Sequence, residues 1–259
     1  MARRSWRAAA ACIVVLALAG GCGGGSEEGS LTINIPAPQQ STPQSPFQYQ
    51  FPPANQVPPA PNSPVATAVV AQAVLIGGAS GFFVRPNLIL TNWHVASPYL
   101  NGNTQAYPMP VVLTDGRSFN GTVVAWDASV DAALVRVAAA SSPQGLPMGR
   151  SHELRPGNAV FAIGNRLQQG FVYVGGNYVE HAPVGIPCGA PANTRDAVVV
   201  AADVANGNSG GPLFNAQGQV VGMVSCMATG GFAGVRGIAI PSETLVDWLN
   251  GLDWARIGG

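Results

Sequence analysis

From residue 67 onward the chain consists of short apolar or alternating runs broken by Gly, Pro, Asn and Asp. Six runs, at 69–76, 81–84, 88–91, 111–113, 118–126 and 132–137, precede a loop-like stretch at 138–156. Six more follow at 159–163, 171–179, 198–200, 212–214, 220–225 and 236–240. Runs this short with turn residues between them predict antiparallel strands, and a long series of them argues for an all-β barrel or sandwich. The two groups predict two antiparallel β-barrels. Only the end reads as helix, where Ser242 can cap a segment carrying Leu245, Trp248, Leu249 and Leu252 on one face.

The first 66 residues follow another pattern. Arg3, Arg4 and Arg7 lead into an apolar stretch at 8–19, too short to span a membrane as a mature helix. This predicts an export signal over residues 1–21. It ends in Leu18-Ala19-Gly20-Gly21-Cys22, which resembles the lipobox of bacterial lipoproteins. The resemblance implies that Cys22 is lipidated and anchors the chain to a membrane; simple secretion with cleavage nearby is the alternative. Residues 22–66 alternate Pro with Gln, Ser and Asn. Such a segment has too little apolar content to offset the entropy of ordering, and it predicts a disordered tether. Phe47, Tyr49 and Phe51 are the one stripe in it that could dock on the domain formed by residues 67–259.

Charge then removes some functions. The formal net charge is +0, with 12 basic residues, all of them Arg, against 12 acidic ones. Losing the leader leaves a mildly acidic product without the basic stripe of a nucleic-acid binder, so no nucleic-acid partner is expected. No Cys/His cluster has metal-ligand spacing, and no Gly-rich loop is built for phosphate. No metal and no cofactor are therefore expected.

The candidate chemistry lies in Gly207-Asn208-Ser209-Gly210-Gly211-Pro212. Glycine reaches backbone angles closed to other residues, and proline fixes the exit. Such a loop can present the Ser209 hydroxyl and aim backbone N–H groups at one point, as a serine nucleophile requires. The nucleophile needs a base, and the base needs an orienting acid. His152 lies in a polar loop and His181 in a Gly/Pro-rich connection, whereas His94 follows the apolar run at 88–91. His94 is the favoured base. Asp127 reads as a turn residue, and Asp131 directly precedes an apolar strand, where a carboxylate is costly without a partner. Asp131 is the favoured acid.

Thr91-Asn92-Trp93-His94-Val95, Asp131-Ala132-Ala133-Leu134-Val135 and Gly207-Asn208-Ser209-Gly210-Gly211-Pro212-Leu213 occur in the order His, Asp, Ser. That order and these motifs resemble the trypsin-like serine proteases, most closely their HtrA/Deg branch. Ser80-Gly81-Phe82-Phe83-Val84, the stretch at 154–165 and the stretch at 237–242 resemble the same family between the motifs. The resemblance implies two six-stranded barrels with the site in the cleft between them. It implies His94 as general base, Asp131 as its orienter, Ser209 as nucleophile, and the Gly207 and Ser209 N–H groups as the oxyanion hole. Protein or peptide substrates follow. A protease-fold lipoprotein that binds without turnover is the alternative.

Some positions depart from the family pattern. Asn208 stands where digestive relatives carry an aspartate that pairs with a newly cut N-terminus, and the chain has no Ile-Val-Gly-Gly sequence. Activation by that cleavage is not expected. Fifty residues follow Ser209, too few for a PDZ domain. Asp203 has the offset from Ser209 at which trypsin-like enzymes read Arg or Lys, although a plain loop aspartate is the other reading. Ser225 resembles the residue that helps hold the substrate backbone and touches the catalytic aspartate. Cys188 and Cys226 remain after Cys12 and Cys22 are assigned to leader and anchor, and an exported domain can bridge such a pair.

Overall fold

Two sets of six strands each close on themselves in a computed structural model of the chain. It describes residues 63–138, 143–185, 194–229 and 236–257, and two-residue strands at Val14–Val15 and Leu31–Thr32. The first barrel comprises β1 (Ala73–Ile76), β2 (Ala79–Arg85), β3 (Leu88–Thr91), β4 (Met109–Leu113), β5 (Ser118–Asp127) and β6 (Ala132–Val137). Its hydrogen-bonded order is β6-β3-β2-β1-β4-β5, with β5 returning to β6. The second comprises β7 (Ala159–Gly164), β8 (Val172–Gly185), β9 (Thr194–Ala202), β10 (Pro212–Asn215), β11 (Val220–Thr229) and β12 (Arg236–Pro241). Its order is β11-β10-β7-β8-β9-β12, and β12 pairs back with β11.

The strand period explains why several strands read as continuous apolar runs. Successive side chains point to opposite faces, and here both faces are dry. On β2, Phe83 enters the core of the first barrel, whereas Phe82 and Val84 enter a second core shared between the barrels. On β3, Ile89 points inward and Leu88 and Leu90 point to the shared core. On β7, Val160 and Ala162 fill the second barrel, whereas Phe161 and Ile163 cross to the shared core. Phe82 and Phe214, both fully buried there, are each worth roughly 1.5–3 kcal/mol of transfer free energy.

Two helices close the shared core, and both depart from the sequence expectation. Only Val69 and Val70 of the run at 69–76 join a helix, α1 (Pro64–Val70), and β1 begins at Ala73. Ser63 Oγ accepts the Ala66 N–H at 3.1 Å and Pro64 stands at the start of the helix, so a cap and a pre-set φ turn an apolar run into helix. Ala66, Val69 and Val70 are buried, and the folded domain therefore begins inside the segment expected to be tether. Leu31–Thr32 pairs with Val172 and Tyr173 in a stretch where no strand was expected, and Val14–Val15 pairs with Ala228 and Thr229. The rest of the expected export signal and tether, with Cys22, lies outside the described residues. Among the described residues no helix is long and apolar enough to cross a membrane.

The last long helix, α3 (Ser242–Asn250), buries Leu245, Val246 and Leu249. Pro241 rather than Ser242 holds its N-cap position. Ser242 instead accepts the Ser151 N–H at 3.0 Å and donates to Glu243 at 3.1 Å. Ser151 Oγ also donates to Glu243, and so does the His152 N–H at 3.3 Å. Burial pushes the Glu243 carboxyl up, but the Ser151 hydroxyl, the backbone N–H groups of Glu243 and His152 and the charge of the His152 ring outweigh it and hold the group below its ordinary value. The inter-barrel connection is thus fastened to α3 by the Glu243 carboxylate and the Ser242 hydroxyl.

Candidate active site

The turn from β5 to β6 positions the acid. Asp127 closes that turn, its Oδ1 accepting the N–H groups of Ser129 at 2.6 Å and Val130 at 3.3 Å. The chain enters β6 through Asp131 at φ 59°, a left-handed conformation that costs energy for a non-glycine residue. Asp131 is fully buried. Its Oδ1 accepts the His94 backbone N–H at 3.0 Å, and its Oδ2 lies 2.9 Å from His94 Nδ1. Ser225 Oγ donates to Oδ2 at 2.8 Å, and Asn92 Nδ2 holds the Asp131 carbonyl at 3.1 Å. His94 lies in α2 (Trp93–Ala96), one short turn directly after β3. A carboxylate accepts hydrogen bonds, so Nδ1 carries the imidazole proton and Nε2 is left as a base.

Ser209 lies in the loop between β9 and β10. Gly207 and Gly210 have φ values of 95° and 82°, and a Cβ at either would strike a carbonyl oxygen, that of Asn165 or that of Ser80. The Asn206 carbonyl accepts the Leu167 N–H at 2.7 Å. In a trans peptide this turns the Gly207 N–H the opposite way. Among the described residues neither the Gly207 N–H nor the Ser209 N–H has a hydrogen-bond acceptor. Two backbone donors without a protein acceptor thus lie beside the Ser209 hydroxyl.

Ser209 Oγ donates to the Ser225 carbonyl at 3.0 Å. The register of β11 on β12 shifts between Val224 and Cys226, which makes Ser225 the extra residue of a β-bulge. Leaving the ladder frees its carbonyl for the Ser209 hydroxyl and its own hydroxyl for Asp131. The bulge thereby links Asp131 to Ser209.

Comparison with known proteins gives the family of this domain. Residues 79–223, more than half of the chain, match the family described as the trypsin-like peptidase domain. The chain belongs to this family. Serine protease HTRA1 of Xenopus laevis is 34% identical over 167 residues, which cover 64% of this chain and 34% of that protein. A Hahella chejuensis protein named as a probable periplasmic serine endoprotease, DegP-like, is 37% identical over 179 residues, 67% of this chain and 35% of its own length. The chain thus spans about a third of the length of these curated relatives. Among solved structures, Rv3671c from M. tuberculosis, a serine-to-alanine mutant in an inactive form, gives a TM-score of 0.62. Its sequence is 28% identical, and the match covers 77% of this chain and 95% of that one.

Within this trypsin-like domain the remaining candidates fall in different places. Asp203 is half-exposed, and Arg166 holds both its carboxylate and, at 2.9 Å, its carbonyl. Asn208 is fully buried and its Oδ1 accepts the Ala205 N–H at 2.9 Å, shaping the nucleophile loop. His152 and His181 stack on each other, with ring centroids 4.6 Å apart, and take no part in the constellation. The expected Cys188–Cys226 bridge is corrected: Cys226 is a free, buried thiol that packs with Ala197, Val199 and Ile238. Cys188 lies outside the described residues.

One residue has a role that the motifs did not reveal. Ser80, fully buried in the first barrel, donates from Oγ to the Gly207 carbonyl at 2.6 Å and accepts the Asn165 N–H at 2.8 Å. Its own N–H donates to the Ser209 carbonyl at 2.9 Å, and its carbonyl accepts from Thr91 Oγ1 at 2.7 Å. A small polar residue opening an apolar strand was the only hint in the sequence. Ser80→Ala leaves a buried carbonyl and a buried N–H unpaired, a cost of about 1–3 kcal/mol each. Peptide turnover is expected to fall at least about tenfold through the misplaced oxyanion loop, with a lowered Tm; unchanged turnover in steady-state assays would contradict the role.

Proposed function

We propose that the chain is a serine endopeptidase of the bacterial cell envelope, held to a membrane through a lipidated Cys22. The observation that carries the reading is the run of contacts His94–Asp131–Ser225–Ser209 beside two backbone donors without acceptors. Turning about χ1 moves the Ser209 proton from the Ser225 carbonyl to His94 Nε2. Oγ then attacks the scissile carbonyl carbon, His94 takes the proton, and the Gly207 and Ser209 N–H groups receive the oxyanion. Collapse breaks the C–N bond as His94 gives the proton to the leaving amine. A water deprotonated by His94 attacks the acyl-enzyme, and the acid product leaves with Ser209 restored. Asp131 holds Nδ1–H in place through both halves.

Support for the envelope is the basic and apolar N-terminus ending at Cys22, together with the periplasmic designation in the name of the Hahella relative. For specificity, Arg166 already neutralises Asp203, so this aspartate is a loop residue rather than a reader of cationic side chains. The expected peptide-library profile favours small aliphatic residues over Arg before the cleaved bond; a preference for Arg would return Asp203 to the pocket.

A second reading, a protease-fold binder without turnover, draws on Ser209 Oγ resting on the Ser225 carbonyl rather than on His94. Labelling with a fluorophosphonate separates the two. The enzyme is expected to be modified at Ser209 and the His94→Ala variant to remain unlabelled. A folded, unlabelled wild-type protein would leave the binder.

A further inference from the structure

The three side chains His152, His181 and Asp196 come together on the second barrel, outside the constellation around Ser209. We propose that they bind a divalent transition-metal ion of the zinc type. His152 lies in a one-turn helix, Ser151–Glu153, of the inter-barrel connection. His181 lies on β8 and Asp196 on β9. The register sets His181 opposite Val198 and Pro183 opposite Asp196, so His181 and Asp196 are diagonal neighbours on one face of the ribbon. Sequence spacing hides the group because its members come from three separate segments.

The geometry suits such an ion. One ligand atom from each of the three residues lies within 4.8 Å of the others. His181 Nδ1 and Asp196 Oδ2 are 3.1 Å apart. Zinc bonds of about 2.0–2.2 Å in a tetrahedron put neighbouring donors roughly 3.3 Å apart, so this pair is already spaced for a shared ion. His152 supplies the third donor. Its ring is stacked on His181 with planes 17° apart, and ligand lone pairs lie in the ring plane, so it must turn off the stack. The His152 side chain is 60% exposed, which gives it room to do so.

The donor set selects the ion. Two imidazoles and a carboxylate suit zinc and its neighbours, whereas calcium and magnesium prefer all-oxygen sites. The protein alone leaves His181 incompletely satisfied, since its Nε2 is buried without a hydrogen-bond partner in the described structure. Nδ1, which faces Asp196, is the ring atom placed to bind the ion, and Nε2 points away from it on the far side of the ring. Around His152, Glu243 accepts the backbone N–H at 3.3 Å and brings Oε2 within 3.9 Å of Nε2. Outer carboxylates of this kind orient ligating histidines. A bound ion would tie the inter-barrel connection, the β8–β9 ribbon and, through Glu243, α3 into one unit.

The test titrates metal-stripped full-length protein with ZnCl2 by calorimetry, and with CoCl2 by visible absorbance to report tetrahedral nitrogen and oxygen ligation. One ion per chain is expected, with a higher Tm in zinc than in EDTA. His152→Ala, His181→Ala and Asp196→Asn are each expected to weaken binding by about tenfold or more. His94→Ala is expected to bind as wild type does, which separates this site from the Asp131–His94 pair. His152 is exposed, so its variant keeps the test valid even where His181→Ala does not fold. Absent zinc binding at 100 µM, or binding lost in His94→Ala and kept in His152→Ala, would overturn the proposal.

Discussion

Ser209→Ala is expected to abolish peptide hydrolysis, with kcat falling by about 10⁴–10⁶-fold, while Tm stays close to that of the wild type. The two halves of this expectation have different origins. Ser209 Oγ makes one hydrogen bond, to the Ser225 carbonyl, and a neutral bond of this kind contributes only about 0.5–1.5 kcal/mol. Gly207 and Gly210, which shape the loop, are untouched by the change, and the Ser209 N–H remains to serve the oxyanion hole. The variant should bind peptide and fail only at bond formation. Steady-state kinetics, peptide affinity and thermal melting measured on one preparation check it. A variant retaining more than a few per cent of the wild-type kcat would place the nucleophile elsewhere.

Asp131→Asn is expected to lower kcat by about 10⁴-fold, on the scale known for this exchange in serine proteases. The carboxylate accepts from the His94 N–H, His94 Nδ1 and Ser225 Oγ, all from a fully buried position. An amide has one accepting oxygen and one donating nitrogen, so it cannot face all of these donors. Where its NH2 meets Nδ1, the ring must carry its proton on Nε2, the atom that has to take the proton of Ser209. The predicted signature is a low kcat with little change in KM, and loss of the fluorophosphonate reaction. A variant with normal turnover would mean that His94 is held by its backbone and α2 alone. Ser225→Ala, which removes a single donor, is the milder comparison.

Much of this fold could be read from the chain because its strands are short and separated by strong turn residues. Both closed barrels follow from that rhythm. The burial of both strand faces also shows in the sequence as unbroken apolar runs such as the one at 88–91. The three candidate residues that the structure brings together were legible because each sits at an abrupt change of texture: His94 after a strand, Asp131 before one, and Ser209 among glycines. What failed to show was anything decided by tertiary contact. The α1 segment reads as the end of a tether running into a strand until the Ser63 cap is noticed. The Ser225 bulge has no composition of its own. The Ser80 clamp rests on a partner 127 positions away. The offset of Asp203 from Ser209 is visible in the sequence, whereas its pairing with Arg166, 37 positions upstream, is not.

The Ser80 contacts also bear on how the molecule is divided. The first barrel holds His94 and Asp131, the proposed base and acid, and the second holds Ser209, the proposed nucleophile, and the bulge that joins it to Asp131. A hydroxyl from the first barrel completes the loop of the second. On the proposed mechanism neither barrel is a catalytic unit by itself, and the smallest working module is the pair. A segment that modifies substrate choice can be added at either end of this pair or within its outer turns, but a chain cut or duplicated between β6 and β7 inherits half of a mechanism.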